Sequence, residues 1–192
     1  MITDINQLDF SKAYTFKDYL SWKFNERVEL FWGYISRMSP APNSKHQEIS
    51  GELHFHLKSF LQKKSCKIYA APFDVYLPSL KGDGQTVVQP DLSVICDISK
   101  IQKQGCVGSP DLIIEILSLG NSRKEMTKKF QIYEQAGVKE YWVVFPYEQM
   151  IQVYLLENDK FQLQPVSEKS VKSVVLEGFE LDMDMLFSDM EE

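Results

Sequence analysis

Between Val88 and Phe145 the chain carries three short apolar runs, VQPDLSVIC, SPDLIIEILS and EYWVVF, with a Lys-rich segment before the third. Runs of Val, Ile and Leu this short, bounded by proline and glycine, read as buried strands. Polar and apolar residues recur at helical spacing over 122–136, and Gly137 supplies a left-handed stop. Strand, strand, helix, strand specifies an α/β fold built on a mixed sheet. The acids within this pattern are its informative departure. Asp91, Asp111 and Glu115 sit in or against the apolar strands, and Lys129 lies on the helix. Carboxylates on adjacent strands with a nearby lysine suit metal-dependent hydrolysis of phosphodiesters, in which an oxygen-bound Mg²⁺ activates water.

The remaining sequence supplies the surroundings. FKDYLSWKF (16–24) reads as a short amphipathic helix, and RVELFWGYISRMSP as a strand or hairpin ending at Pro40. Pro40, Pro42 and Asn43 mark a loop. A helix is expected over 44–63, with Ser44 as its N-cap and Ile49, Leu53, His56, Leu57, Phe60 and Leu61 as its inner stripe. CKIYAAPFDVYLP gives one or two strands and SLKGDGQ a loop; strands follow at 87–96, 111–117, 141–145 and 149–156. VVLEGFELDMDMLF closes the chain with a strand and a helical turn. A length of 192 residues suits one domain, 1–192, with its core at about 44–156 and an N-terminal strand or hairpin as an extension.

Net charge is −6, which argues against a non-specific nucleic-acid binder. A local basic patch remains open to Lys100, Lys103, Arg123, Lys124, Lys128 and Lys129. No apolar run reaches the roughly 20 residues of a membrane span. MITDINQLDF lacks the features of a signal peptide, so a cytoplasmic protein is expected. Cys66, Cys96 and Cys106 lack zinc-finger spacing and are expected as reduced thiols.

Glu115 lies inside LIIEIL, where an unpartnered carboxylate incurs a desolvation cost. If strands 87–96 and 111–117 pair antiparallel with Ile95 opposite Asp111, Asp91 falls opposite Glu115 on the same face. Asp111 then lies at the far end. At 100° per residue, Lys129 falls within the arc of Met126, Phe130, Tyr133 and Ala136, so it faces the sheet and needs an anion there. His46, one turn before Ile49, can orient a carboxylate, ligate metal or move a proton. His54 and His56 cannot face one site together and are read as structural.

These residues together resemble the Uma family of restriction endonucleases, within the PD-(D/E)XK nuclease superfamily. The resemblance runs from ERVELFWGYISRMSPAPNSKHQEI through VVQPDLSVIC, GCVGSPDLIIEILS and KKFQIYEQAGVKEYWVV to LEGFELDMDMLF. It implies a restriction-endonuclease-like αβββαβ core with a mixed central sheet flanked by helices, dependence on Mg²⁺ or Mn²⁺, and DNA as substrate. Asp91 and Glu115 match its metal-binding acids, Lys129 its relocated lysine, His46 its helix-start histidine and Tyr133 its helix tyrosine. Leu117 stands where the usual lysine would be. Glu125 replaces an aspartate of the family, and Phe145 replaces another at the end of the YWVVF strand.

Two functions follow: a metal-dependent DNA endonuclease acting through Asp91, Glu115, Lys129 and His46, with Asp111 and Tyr133 in support, or a binding or regulatory protein on a nuclease fold. A homodimer paired through the apolar C-terminal segment suits an enzyme that cuts both strands.

Overall fold

The computed structural model describes residues 2–38, 43–78, 85–118 and 123–188. Pro40, Pro42, Ser122 and nearly all of the SLKGDGQ loop lie outside that set.

The N-terminal half contributes α1 (Phe16–Ser21), β1 (Val28–Phe31), β2 (Tyr34–Arg37), α2 (Ser44–Phe60), β3 (Lys67–Ala70), β4 (Val75–Leu77), β5 (Thr86–Val88) and β6 (Leu92–Ile95). Then follow β7 (Ile101–Gln102), β8 (Gly105–Val107), β9 (Leu112–Ile116), α3 (Arg123–Ala136), β10 (Glu140–Phe145) and β11 (Met150–Glu157). β12 (Lys160–Gln164), β13 (Ser170–Lys172), β14 (Glu180–Asp182) and α4 (Met183–Phe187) complete the order.

The strands form two mixed six-stranded sheets and a two-stranded β13–β14 ribbon. The first sheet runs β2-β1-β5-β4-β8-β7 and the second β12-β11-β10-β9-β6-β3. An α/β fold of mixed sheets flanked by helices is therefore present, but the N-terminal hairpin is no appendage. β1 pairs with β5 and belongs to the first sheet. The 87–96 segment is also two strands, one in each sheet. Pro90 has no N–H to give a ladder and biases Gln89 towards extended backbone, so the chain leaves one sheet there and enters the other.

Alternation within the second sheet sorts its side chains. Leu112, Ile114, Ile116, Trp142 and Val144 pack with α2 (Ile49, Leu53, Leu57) and the C-terminal residues Leu181, Leu186 and Phe187. Ile113, Tyr141 and Val143 face the other way, onto Ile132 and Tyr133 of α3 and onto Phe31, Val75 and Val88 of the first sheet. Each fully buried Ile or Leu contributes about 1.5–3 kcal/mol. A one-residue slip would exchange every side chain between the two faces and carry Glu115 into the apolar cluster of Leu112 and Ile114. The first sheet's outer face, through Leu30, Tyr76 and Val87, covers Ile5, Leu8 and Trp22. Within the C-terminal segment Leu176, Phe179, Leu181, Leu186 and Phe187 pack into the core, whereas Val174 and Met185 stay exposed.

Two helix ends bear on the site. α2 is capped by Asn43 rather than Ser44: the Asn43 side chain accepts the His46 N–H at 2.9 Å. α3 ends in a Schellman turn, with Gly137 at φ 79°. There the N–H of Val138 donates to the Tyr133 carbonyl at 3.0 Å and that of Gly137 to Glu134 at 3.1 Å.

Cys66 and Cys96 form a disulfide, which corrects the expectation of reduced thiols. The β3–β6 register sets Lys67 against Ile95 and brings the two flanking cysteines together; their separation of 30 residues carries no such signal in the sequence. Cys106 is free and buried. Among the described residues, no helix is long and apolar enough to cross a membrane.

Candidate active site

β6 and β9 pair antiparallel with Leu92 opposite Ile114 and Val94 opposite Leu112. One step outward, the same register sets Asp91 across from Glu115. Both acids then share the face of Ile113, the face covered by α3. A cleft of about 480 Å³ opens here, lined by His46, Asp91, Glu115, Lys129, Glu125 and Arg27 among others.

Glu115 and Lys129 are both buried. Lys129 Nζ lies 3.0 Å from Glu115 Oε1 and 3.1 Å from Oε2. The Tyr133 hydroxyl, one turn further along α3, also donates to Glu115 Oε1. A third anion completes the group: Glu29 Oε1 lies 3.3 Å from Lys129 Nζ and accepts the Gln89 N–H at 2.9 Å. At the cleft's other wall, Asp91 Oδ2 accepts the Ile116 N–H at 2.8 Å and meets His46 Nε2 at 3.2 Å. His46 Nδ1 is buried with no well-formed hydrogen bond among the described residues.

The titration of these groups follows from crowding. Burial pushes the Glu115 carboxyl above the usual glutamate range; Lys129 opposes this, but the charges of Asp91 and Glu29 add to it. Burial alone would lower the Lys129 ammonium, yet Glu115 and Glu29 outweigh it and hold the lysine protonated. Burial likewise lowers His46, and the hydrogen bond and charge of Asp91 more than reverse it. Three carboxylates thus converge on one ammonium and one histidine, an excess of negative charge in a low-dielectric cleft.

Asp91 and Glu115 are hard oxygen donors facing the same cleft, and Asp91 Oδ1 accepts no hydrogen bond among the described residues. In donor type and charge they fit a Mg²⁺-like ion, which takes one or two carboxylates and keeps waters. They supply two ligands rather than a full cage: among the described residues no cluster of three or more His, Cys, Asp or Glu side chains is arranged to hold a metal.

The family model described as "Putative restriction endonuclease", Uma2, matches residues 16–184. The chain belongs to the Uma2 family. A crystal structure of "a putative nuclease belonging to DUF820" from Anabaena variabilis resembles this Uma2 chain with a TM-score of 0.67 and 24% identity. The match covers 85% of this chain and 90% of that one, and it shows a shared fold. No curated protein matches the chain significantly.

Within this Uma2 chain, the cleft gathers Asp91, Glu115, Lys129 and His46, with Tyr133 buried behind Glu115, and leaves out Asp111. That residue sits at the opposite end of β9, where Oδ2 accepts the Cys96 N–H at 2.7 Å and Oδ1 meets Lys139 Nζ at 2.6 Å. It ties strand ends together. The basic patch also loses members: Lys129 is buried, and Lys100 Nζ donates to the Ser109 carbonyl at 2.9 Å. His54 lines the cleft, whereas His56 meets Glu52 at 3.5 Å. Phe145 packs at the end of β10 against the α3 side of the core.

Glu29 is the site residue that sequence reasoning missed. It is 1% exposed, on a strand whose four residues are all buried. The signal was the one used for Glu115: a carboxylate inside an apolar strand, here VELF.

Proposed function

We propose that this protein is a metal-dependent endonuclease that hydrolyses phosphodiester bonds in DNA, using Mg²⁺ or Mn²⁺ held by Asp91 and Glu115. The observation that carries this reading is the register placing Asp91 across from Glu115 beside Lys129, in an open cleft. Asp91 and Glu115 would hold the divalent ion, which would supply an activated water and neutralise charge on the phosphate. The chain's own groups do the rest. His46 holds Asp91 Oδ2 through Nε2, and Asp91 lines the cleft. Tyr133 and Lys129 orient Glu115. Lys129 stays protonated between Glu115 and Glu29, so its ammonium opposes negative charge developing on a phosphate brought to the cleft. Glu29 gives Lys129 a second carboxylate besides Glu115.

One observation favours a second reading, a non-catalytic binding protein on the nuclease fold. Glu115 is already engaged by Lys129 and Tyr133, as a purely structural buried carboxylate would be. Supercoiled plasmid incubated with Mg²⁺ or Mn²⁺ separates the two. The nuclease reading expects nicked circles from the wild type and none from a folded Glu115→Ala variant. An intact plasmid with both proteins supports the binding reading.

A further inference from the structure

Arg27 stands at the cleft's rim, just before β1, and is exposed. Among the described residues it has no carboxylate partner. Several other cations are paired: Lys139 with Asp111, Lys160 with Glu134, Lys172 with Glu180 and Lys129 with Glu115 within the cleft. Arg27 is held by a neutral group instead. Gln89 Oε1 accepts from its Nε at 2.9 Å and from Nη2 at 2.7 Å.

Gln89 is itself fixed on both sides. Its Nε2 donates to Asp74 Oδ1 at 2.7 Å, and Asp74 also takes the hydroxyls of Tyr19 at 3.1 Å and Tyr76 at 3.2 Å. Its backbone N–H donates to Glu29, the partner of Lys129. A solvated arginine samples many rotamers, and confining it costs entropy. Here the guanidinium is confined while its charge stays uncancelled, with N–H donors to spare beyond the two that Gln89 takes. A planar fork of this kind suits the oxygens of a phosphate. The carboxylates around Lys129 would repel a polyanion, so a rim cation is what lets one approach.

We propose that Arg27, positioned by Gln89, is a phosphate clamp that binds the sugar–phosphate backbone of the nucleic acid entering this cleft. The inference rests on the nuclease reading and adds a substrate-binding residue to it. Arg27 holds the strand, while the groups around Asp91 and Glu115 act on it.

The test is the fluorescence anisotropy of a labelled DNA duplex with Ca²⁺ present, over a salt series, paired with cleavage kinetics in Mg²⁺. Arg27→Ala should weaken binding about tenfold and reduce the slope of log K against log salt by about 0.9, the loss of one phosphate contact. Its KM should rise while kcat stays within about twofold. Arg27→Lys should keep the salt slope but bind more weakly than wild type, because the point charge survives and the fork does not. Gln89→Leu should likewise keep the slope and lose part of the affinity. If wild type binds and cleaves while Arg27→Ala matches it in affinity and slope, the clamp is wrong and the nuclease reading stands. If wild type neither binds nor cleaves the duplex, the nuclease reading fails and the clamp falls with it.

Discussion

Replacing Lys129 with methionine removes the one ammonium between two buried carboxylates while keeping most of the side chain's bulk. Among the described residues, Glu115, bonded at 3.0 and 3.1 Å, would keep Tyr133 as its side-chain partner, and Glu29, at 3.3 Å, would keep the Gln89 N–H. Leaving a buried charge uncompensated costs about 3–5 kcal/mol. For a protein of this size, with Tm moving about 2–4 °C per kcal/mol, the drop should be about 6–20 °C. The loss must depend on pH. Without Lys129 the Glu115 pKa rises further, and a raised carboxyl stabilises the fold below its unfolded pKa and loses that contribution as pH rises through the folded value. The deficit should therefore be largest near about pH 8 and shrink near about pH 5, where Glu115 is neutral. Thermal melts of wild type and Lys129→Met at both pH values test this. A variant as stable as wild type at the higher pH, or a deficit independent of pH, would refute the account of the cleft as an over-charged cluster centred on Lys129.

Further outcomes follow from the same charges. Adding Mg²⁺ or Mn²⁺ should raise the wild-type Tm more at about pH 8 than at about pH 5, since protons on Glu115 and His46 compete with the ion; calorimetric scans with and without metal check this, and an equal gain at both values contradicts it. The His46 imidazole should titrate at lower pH in Asp91→Asn than in wild type, because Asp91, ahead of Glu115, is the largest influence opposing burial. NMR of its Cε1 proton reads the midpoint directly, and an unchanged midpoint would sever the two residues. Away from the cleft, Glu140→Ala should cost about 3 kcal/mol in urea melts. That carboxylate accepts from Trp142 Nε1 at 2.6 Å, Ser173 Oγ at 2.9 Å and the N–H groups of Val174 and Val175 at 3.1 and 2.8 Å. A loss under about 0.5 kcal/mol, the usual range for surface substitutions, would show that the C-terminal segment is held by its apolar contacts instead.

What was legible in the sequence was what periodicity encodes. Alternation in LIIEIL and the helical arc around Lys129 both translate one-dimensional spacing into a shared face, and β9 and α3 lie close to their expected limits. The Asp91–Glu115 register was not dictated by spacing: it is the one that brings two acids together for a metal, and the β6–β9 pairing has that register. Long-range pairings were not encoded in that way. The split at Pro90 sends β5 and β6 to different sheets, and the partner strands β1 and β4 reveal it. The Cys66–Cys96 disulfide depends on the β3–β6 register, which no spacing announces. The two-residue β7 and the short β8 fall below any periodic signal. Glu29 was visible in VELF, but its role needed the second sheet to bring it to Lys129.

The most direct test of the metal-dependent cleft is a crystal of the wild-type protein soaked in Mn²⁺ and measured for anomalous scattering. The account predicts an anomalous peak between the Asp91 and Glu115 carboxylates, absent from Asp91→Asn crystals treated identically. Data with Glu115 still bonded to Lys129 and no peak beside Asp91 would contradict it.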